Sequence, residues 1–121
     1  AIASRPLLPG AEGPWVRARR EDLVAIAVRA WECLAAAWIR TGDPGQAVRD
    51  ADRALVVDPY REPALRLMMR ALADAGDRAG ALRAYERFRR RVADELGADP
   101  SPQTQALHVE ILRGERSIAD A

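Results

Sequence analysis

Four arginines in the second half of the chain form the densest group of side chains able to bind a ligand or partner. The four residues are Arg83, Arg87, Arg90 and Arg91, and in a helix they lie on roughly one face. The 83/87 and 87/91 pairs are like-charged neighbours four residues apart, an arrangement that is mildly unfavourable unless acidic groups lie close by. Glu86 and Glu95 stand where they can pair with Arg90 and Arg91. We call the four arginines the arginine face.

Three interpretations of the arginine face remain open. It is a solvated surface with local ion pairs, a surface for an acidic protein partner, or a set of phosphate contacts. Phosphate binding by charge alone usually needs a broader basic patch, which makes it the weakest of the three. The four arginines are therefore our candidate partner-binding residues, and the partner that fits them is a protein.

The other residues that could do chemistry occur singly. Cys33 is the only cysteine and His108 the only histidine, so neither a disulfide nor a Cys/His metal site can form within one chain. Without a histidine beside it, Cys33 is expected to be a small buried side chain, and His108 an exposed one. No spacing forces two carboxylates together, and no glycine-rich loop follows a strand. We expect no enzymatic activity, no cofactor and no metal.

Three tryptophans could form a box around a ligand, and packing between repeated helices is the competing interpretation. Trp31 and Trp38 recur at helical spacing with other apolar residues, which favours packing. Trp15 lies nearer the start of the chain and is less well explained by packing.

Length, charge and hydrophobicity limit the classes of protein to which this chain can belong. At 121 residues the chain has the size of one domain with a real core. Its net charge is +1, so no overall field favours nucleic acid or membrane lipid. No apolar run reaches the roughly 20 residues of a membrane span, and no signal-peptide pattern opens the sequence. These features, with the lone cysteine, predict a cytoplasmic protein without a membrane partner.

The periodicity of apolar residues predicts five helices and no strand. The first runs from about residue 15 to 40, and the second ends near residue 57. The third starts near Pro63, the fourth ends at Gly97, and the fifth begins after Ser101. We expect Leu96 of the fourth helix and Leu112 of the fifth to be buried. Asp43 and Gln46 are spaced for a capping box at the start of the second helix.

A 34-residue internal repeat gives the architecture. Gly42-Asp43 recurs as Gly76-Asp77, and 34 residues is the period of tetratricopeptide repeats. Small residues such as Ala47 and its counterpart Ala81 let paired helices approach, while larger residues fill the gaps between pairs. The sequence therefore predicts an all-α fold of tetratricopeptide-like helical hairpins, with the fifth helix covering the C-terminal end.

Several segments in fixed order resemble the bacterial transcriptional activator domain of actinobacterial antibiotic regulatory proteins and related regulators. They are "LLPG", "GPWV", "DPYREPALRLMMRAL", "AGALRAYERFRR" and "ADELGADPSPQTQALH". The resemblance covers about residues 7–112. It implies a tetratricopeptide-like domain at 15–113, preceded by an extended segment at 1–14 and followed by a frayed tail at 114–121.

The resemblance also implies a function. Domains of this family act beside a separate DNA-binding domain, as non-catalytic modules for regulator self-association or contact with the transcription machinery. DNA is then bound only through a domain outside this chain. The alternative from a different class is a free-standing helical-repeat scaffold that binds a peptide or a partner helix and is unrelated to transcription.

The first predicted helix has a wider apolar stripe than one hairpin needs. In the family another helical hairpin precedes "LLPG", so Val24 and Val28 are interpreted as residues that lack this partner. Large apolar patches are seldom left open to water. Either residues 1–15 fold back over this stripe, or two chains meet through it as a symmetric homodimer. Three prolines and two glycines make residues 1–15 a poor cover, which favours the homodimer, so Val24 and Val28 are the candidate self-association residues.

Overall fold

Residues 13–114 are described by a computed structural model, and all regular structure in this range is helical. The elements are α1 (Pro14–Thr41), α2 (Pro44–Val57), α3 (Glu62–Asp74), α4 (Arg78–Leu96) and α5 (Pro102–Leu112). The predicted number and order of helices are confirmed. The predicted segment at 1–14 and tail at 114–121 lie almost wholly outside the described residues.

The turns between paired helices form as the repeat predicts. Gly42 ends α1 with φ of 87°, and Gly76 follows α3 with φ of 86°, a left-handed conformation that glycine adopts without a steric penalty. Asp43 then caps α2 by accepting a hydrogen bond from the Gln46 backbone N–H at 3.2 Å.

The reciprocal half of the predicted capping box is absent. The Asp43 backbone N–H donates to the Trp38 carbonyl at 2.8 Å, and the Gln46 side-chain oxygen accepts from Arg49. In a capping box the Asp43 backbone N–H would donate to the Gln46 side chain. Here it is already bonded to the Trp38 carbonyl of α1.

The five helices pack in sequence as two hairpins and a cap. Helices α1 and α2 form the first hairpin, α3 and α4 the second, and α3 also packs against both helices of the first. Helix α5 packs on α3 and α4. The main core is built largely from small and medium apolar side chains of all five helices: Ala35, Ala47, Ala51, Leu65, Met68, Met69, Ala71, Ala81, Tyr85, Phe88, Val92, Leu107 and Ile111. Alanines at the crossings allow the close approach that the repeat requires.

A polar cluster fixes α5 against α3, and we call it the Glu62 cluster: Glu62, Arg66, Ser101 and Thr104. The Glu62 carboxylate accepts hydrogen bonds from the Ser101 hydroxyl at 2.8 Å and from the Thr104 hydroxyl at 2.5 Å. Arg66 donates to the Thr104 hydroxyl oxygen at 2.9 Å. Burial raises the pKa of Glu62, but these hydrogen bonds and the Arg66 charge outweigh it, and the net pKa is lowered.

This cluster explains the break at "DPSP". Helix α4 ends at Gly97, and α5 begins directly after Ser101. Ser101 both caps α5 and donates a hydrogen bond to Glu62. The Ser101 hydroxyl accepts from the Thr104 backbone N–H, which is the capping bond. The break thus turns the chain onto the end of the second hairpin and fixes it there.

Four expectations for single side chains are wrong. Leu96 and Leu112 are exposed, and each lies in the last turn of its helix. Cys33 is exposed because it faces away from α2. His108 is half-buried and stacks on Tyr85, with ring centroids 3.9 Å apart. Burial lowers the pKa of His108.

Candidate protein-interaction surface

A groove runs along the surface between α2 and α4, with α3 beneath it. Its floor is apolar and includes Leu55, Met68 and Phe88. Val56, on the α2 side, is largely exposed to solvent. The repeat produces this groove, because α2 and α4 are the second helices of adjacent hairpins and both pack on α3.

Three of the four predicted arginines line the groove. Arg87, Arg90 and Arg91 lie along its α4 side, whereas Arg83 is exposed about one turn nearer the start of α4 and lies outside it. All four project away from the core, since α4 buries the opposite face through Ala81, Tyr85, Phe88 and Val92. The structure thus brings three arginines of the face together at one feature and separates the fourth.

The ion pairs of the arginine face leave one groove cation without an acidic partner. Arg90 pairs with Glu86 at 3.0 Å, and Arg91 lies 3.8 Å from Glu95. Among residues 13–114, no carboxylate lies within ion-pair distance of Arg87. Hydrogen bonds from Arg89, followed by those from Arg90, lower the pKa of the exposed Glu86 carboxyl to about 2. Both locally paired arginines match the pairs expected from the sequence.

Three acidic residues also border the groove, and only Glu95 among them is singled out by the sequence. Asp52 lies on the α2 side, with Asp94 and Glu95 towards the end of α4. Glu95 accepts a hydrogen bond from the Tyr60 hydroxyl, and this bond is the main reason that the pKa of Tyr60 is raised. Asp52 corresponds in the repeat to Glu86, which does not line the groove, so the position of Asp52 follows only from the packing of α2 beside α4. The groove therefore has an apolar floor and rims of both charges.

The first helix differs from the expectation for Val24 and Val28. Val28 is only 3% exposed and packs with Ala54 and Ala64, so the interpretation that it lacks a partner is wrong. The turn into α3 brings Ala64 against α1 and covers it. Val24 is 41% exposed and borders a surface pocket with Arg17, Arg20 and Arg29.

An ion pair closes one side of that pocket. Arg61 donates two hydrogen bonds to Glu32, at 2.7 and 3.1 Å, and this pairing is the main reason that the pKa of Arg61 is raised. It ties the turn before α3 to the middle of α1. Glu21 and Asp58 also line the pocket, so its arginines are not a purely cationic cluster.

A second exposed surface of α1 lies on a different side of the helix from Val24, and we call it the outer face of α1. It consists of Leu23, Ile26, Ala30, Cys33, Leu34 and Ala37. Leu23, Ile26 and Leu34 are 62%, 56% and 47% exposed. Of the two valines expected on the open side of α1, Val24 is exposed and Val28 is buried, and the exposed apolar residues extend further along the helix.

The described residues offer no metal-binding cluster of three or more His, Cys, Asp or Glu side chains. None of the helices within residues 13–114 combines the length and apolar character needed to cross a membrane. Within residues 13–114, the groove between α2 and α4 and the outer face of α1 both expose apolar side chains.

Known proteins resemble this chain over most of its length. It is 32% identical over 114 residues to Regulatory protein AfsR of Streptomyces coelicolor, an alignment that covers 94% of this chain and 12% of AfsR. It is 34% identical over 91 residues to Transcriptional regulatory protein EmbR of Mycobacterium tuberculosis, covering 75% of this chain and 24% of EmbR. The chain thus spans a quarter or less of the length of these relatives.

A solved structure shows the same fold. The structure of Mycobacterium tuberculosis EmbR in complex with a low affinity phosphopeptide matches with a TM-score of 0.66 and 28% sequence identity, over 88% of this chain and 29% of that one. The family model of the bacterial transcriptional activator domain matches residues 5–112. The helical hairpins, their 34-residue register and these matches agree, and the chain belongs to the bacterial transcriptional activator domain family.

Proposed function

We propose that this chain is a non-catalytic protein-interaction module of a bacterial transcriptional regulator. It acts in the cytoplasm, beside a DNA-binding domain that lies outside the chain. The observation that carries the proposal is the groove between α2 and α4, where an apolar floor is bordered by the unpaired Arg87. Such a groove fits an amphipathic segment of a protein, whose apolar side covers Leu55 and Phe88 while an acidic side chain meets the arginine.

The relatives support a regulatory setting. AfsR and EmbR are named regulatory proteins, and EmbR binds a phosphopeptide, so a protein ligand has a precedent among proteins that share this fold. The near-neutral charge of this chain argues against direct DNA binding, which needs a concentrated basic surface. The transcription machinery is the partner that we propose for the groove.

Binding to purified actinobacterial RNA polymerase holoenzyme, measured by surface plasmon resonance, tests the proposal. We expect binding that Arg87→Glu weakens by about tenfold, because the substitution reverses the charge of the unpaired groove cation. Arg83→Glu is the matched control, since it makes the same change on the same face of α4 but outside the groove. It should leave binding unchanged.

Two results would overturn the proposal. One is the absence of polymerase binding at concentrations of about 100 μM, far above a micromolar dissociation constant. The other is equal loss in both variants, which would indicate a diffuse charge effect. In a mobility-shift assay at ~150 mM salt, the chain alone should show no sequence-selective binding to duplex DNA below about a micromolar.

A further inference from the structure

The groove between α2 and α4 has two unlike walls. The α2 side is apolar at Val56 and Pro59 and carries one acidic residue, Asp52. The α4 side is charged, and its exposed side chains change sign along the helix, from arginine to aspartate and glutamate. Val56 corresponds in the repeat to Arg90, so the two hairpins do not supply like walls. A molecule bound in the groove therefore needs an apolar side towards α2 and a charged side towards α4.

The shape of the groove favours a helix as the bound segment. Helices α2 and α4 pack on α3 rather than on each other, which leaves room between them. Both walls and the floor lie within residues 52–95. All regular structure in residues 13–114 is helical, so this range offers no strand edge to which an extended peptide could hydrogen-bond. A helix satisfies its own backbone groups, and its side chains fit between the ridges of neighbouring helices.

Two opposite charges on the α4 side have no partner. Arg87 and Asp94 are exposed, and neither has an ion pair or a hydrogen bond with another residue of 13–114. The neighbouring Arg90 and Arg91 each have a glutamate of α4 close by. Arg87 and Asp94 are seven residues apart, so they lie nearly in line along α4, separated by about 10 Å. The groove thus presents a free cation and a free anion two helical turns apart.

The helix dipoles favour one direction for a bound helix. Successive helices of the hairpins run in opposite directions, so α2 and α4 point the same way. Their carboxyl ends lie at the end of the groove that also holds Asp94 and Glu95. Partial negative charge at these helix ends adds to the two carboxylates. A helix bound antiparallel to α2 and α4 places its partially positive amino end there, and it completes a four-helix arrangement with α3 on the opposite side.

We propose that the groove binds an amphipathic helix of a protein partner, antiparallel to α2 and α4. A basic side chain of this helix pairs with Asp94, and an acidic side chain seven residues later pairs with Arg87. Its apolar stripe covers Val56 and the floor of the groove. This inference rests on the proposed function, because it concerns the same groove. It adds the conformation, the direction and the charge order of the bound segment.

Fluorescence anisotropy with the full chain and two designed peptides tests the charge order. Each peptide has about 15 residues, a marginal length for an isolated helix, so a staple on its solvent side holds the helix. Both carry the same apolar stripe. On the flank that faces α4, the matched probe has a lysine and, seven residues later, a glutamate, and the exchanged probe has these two residues interchanged.

We expect the matched probe to bind about tenfold more tightly, because the exchanged probe places like charges against Arg87 and Asp94. Turning the exchanged probe end for end does not restore the pairs, since its charged flank then faces α2. A third probe with a central proline cannot form a continuous helix and should not bind at about 100 μM, far above a micromolar dissociation constant.

Variants of the chain test the same pairs from the other side. The double variant Arg87→Glu/Asp94→Arg reverses both charges and should reverse the order of the matched and exchanged probes. The matched control is Arg83→Glu, which lies on α4 outside the groove and should leave the order unchanged.

A nitroxide label on the matched probe tests the direction without any substitution in the chain. At the amino end of the probe, the label should broaden the amide signals of Tyr60 and Glu95. At the carboxyl end, it should broaden those of Asp52 and Ala84 instead, because these residues lie at the other end of the groove.

Four results would overturn the inference. They are equal binding of the matched and exchanged probes, binding of the proline probe, the reverse pattern of signal broadening, and self-association that Arg87→Glu abolishes, which would assign the groove to a second copy of this chain. RNA polymerase binding without a preference between the probes would refute this inference alone. A clear preference for the matched probe without polymerase binding would refute only the proposed partner.

Discussion

The two hairpins of this domain come from one repeat but lie in different surroundings. The second hairpin, α3 and α4, has the first hairpin on one side and α5 on the other. The first hairpin, α1 and α2, is covered on one side within the described residues. Met68 in the second is 7% exposed, whereas its counterpart Leu34 in the first is 47% exposed. Similar residue types thus serve as core in one hairpin and as surface in the other.

The hairpins also differ in how their helices are joined. In the first, the Trp38 indole N–H donates to the buried Asp50 carboxylate at 3.0 Å, and Arg53 pairs with the other Asp50 oxygen at 3.1 Å. The second hairpin has Leu72 and Ala84 at the positions of Trp38 and Asp50. The Trp38–Asp50 hydrogen bond of the first hairpin therefore has no counterpart in the second, where both positions are apolar. The two hairpins share the arrangement of their helices, but the side chains that join the helices differ.

The largest expected effect comes from truncating the matched pair Met68 and Leu34. Met68→Ala removes a buried side chain from the main core and should lower the free energy of unfolding by about 2–4 kcal/mol. Leu34→Ala should cost less than about 1 kcal/mol in the monomer, because its side chain is already half in water. Urea unfolding at low micromolar concentration measures both. Equal losses would contradict the difference in burial.

The next-largest expected effect concerns the buried alanines that occupy the same position in both hairpins. Ala47 and Ala81 are fully buried where the helices of each hairpin cross. Ala81→Leu should cost about 1–3 kcal/mol through overpacking, and Ala47→Leu should cost a similar amount. Thermal unfolding of the two variants makes the comparison. An unchanged melting temperature in either would show that the repeat register is misplaced in that hairpin.

A smaller effect concerns α5, which within residues 13–114 packs on the second hairpin and not on the first. Glu62→Gln should cost about 1–2 kcal/mol at pH 7, because it weakens charge-assisted hydrogen bonds from Ser101 and Thr104. The pKa of Glu62 is lowered from its ordinary value of 4.5, so its stabilisation is complete above that pH and is lost as the pH falls through the folded-state value.

Urea unfolding at pH 7 and near pH 3 should therefore show the wild type and Glu62→Gln converging in stability at the lower pH. A stability difference that stays constant over this range would show that the carboxylate charge has no part in holding α5.

The smallest expected effect distinguishes the two capping aspartates, Asp43 at the start of α2 and Asp77 at the start of α4. A Cβ atom at Gly80 would clash with the Asp77 carboxylate that caps α4, whereas one at Gly45 would lie 3.8 Å from the Asp43 carboxylate. Gly45→Ala should therefore stabilise by about 0.5–1 kcal/mol through helix propensity. Gly80→Ala should bring no net gain, because the lost cap offsets the propensity.

Removing the cap checks this explanation. In an Asp77→Ala background, Gly80→Ala should recover the full stabilisation, since no carboxylate is left to displace. A gain of the same size in the presence of Asp77 would mean that the cap contributes little to α4.

Much of the fold could be predicted from the sequence, because helix boundaries depend on local signals. The glycines and capping aspartates at the turns, repeated after 34 residues, predict the hairpins and their order, and α2 ends at Val57 as expected. The pairing of Glu86 with Arg90 also follows from spacing along one helix.

The surfaces were harder to predict, because they depend on contacts between distant segments. Val28 is buried by Ala64, which is 36 residues away, and no local pattern distinguishes it from the exposed Leu23. The Glu62 cluster joins positions about 40 residues apart. Arg83 and Arg87 lie on the same side of α4, about 40° apart on a helical wheel, and the position of α2 places only Arg87 at the groove.

The central claim is that matched positions of the two hairpins differ in burial within residues 13–114, and thiol labelling tests it most directly. In a Cys33→Ser background, Leu34→Cys and Met68→Cys place one thiol at the same position of each hairpin. We expect Leu34→Cys to react in the folded protein almost as fast as an unfolded chain, and Met68→Cys to react far more slowly, because it is exposed only when the structure opens. Equal labelling rates for the two folded variants would contradict the claim.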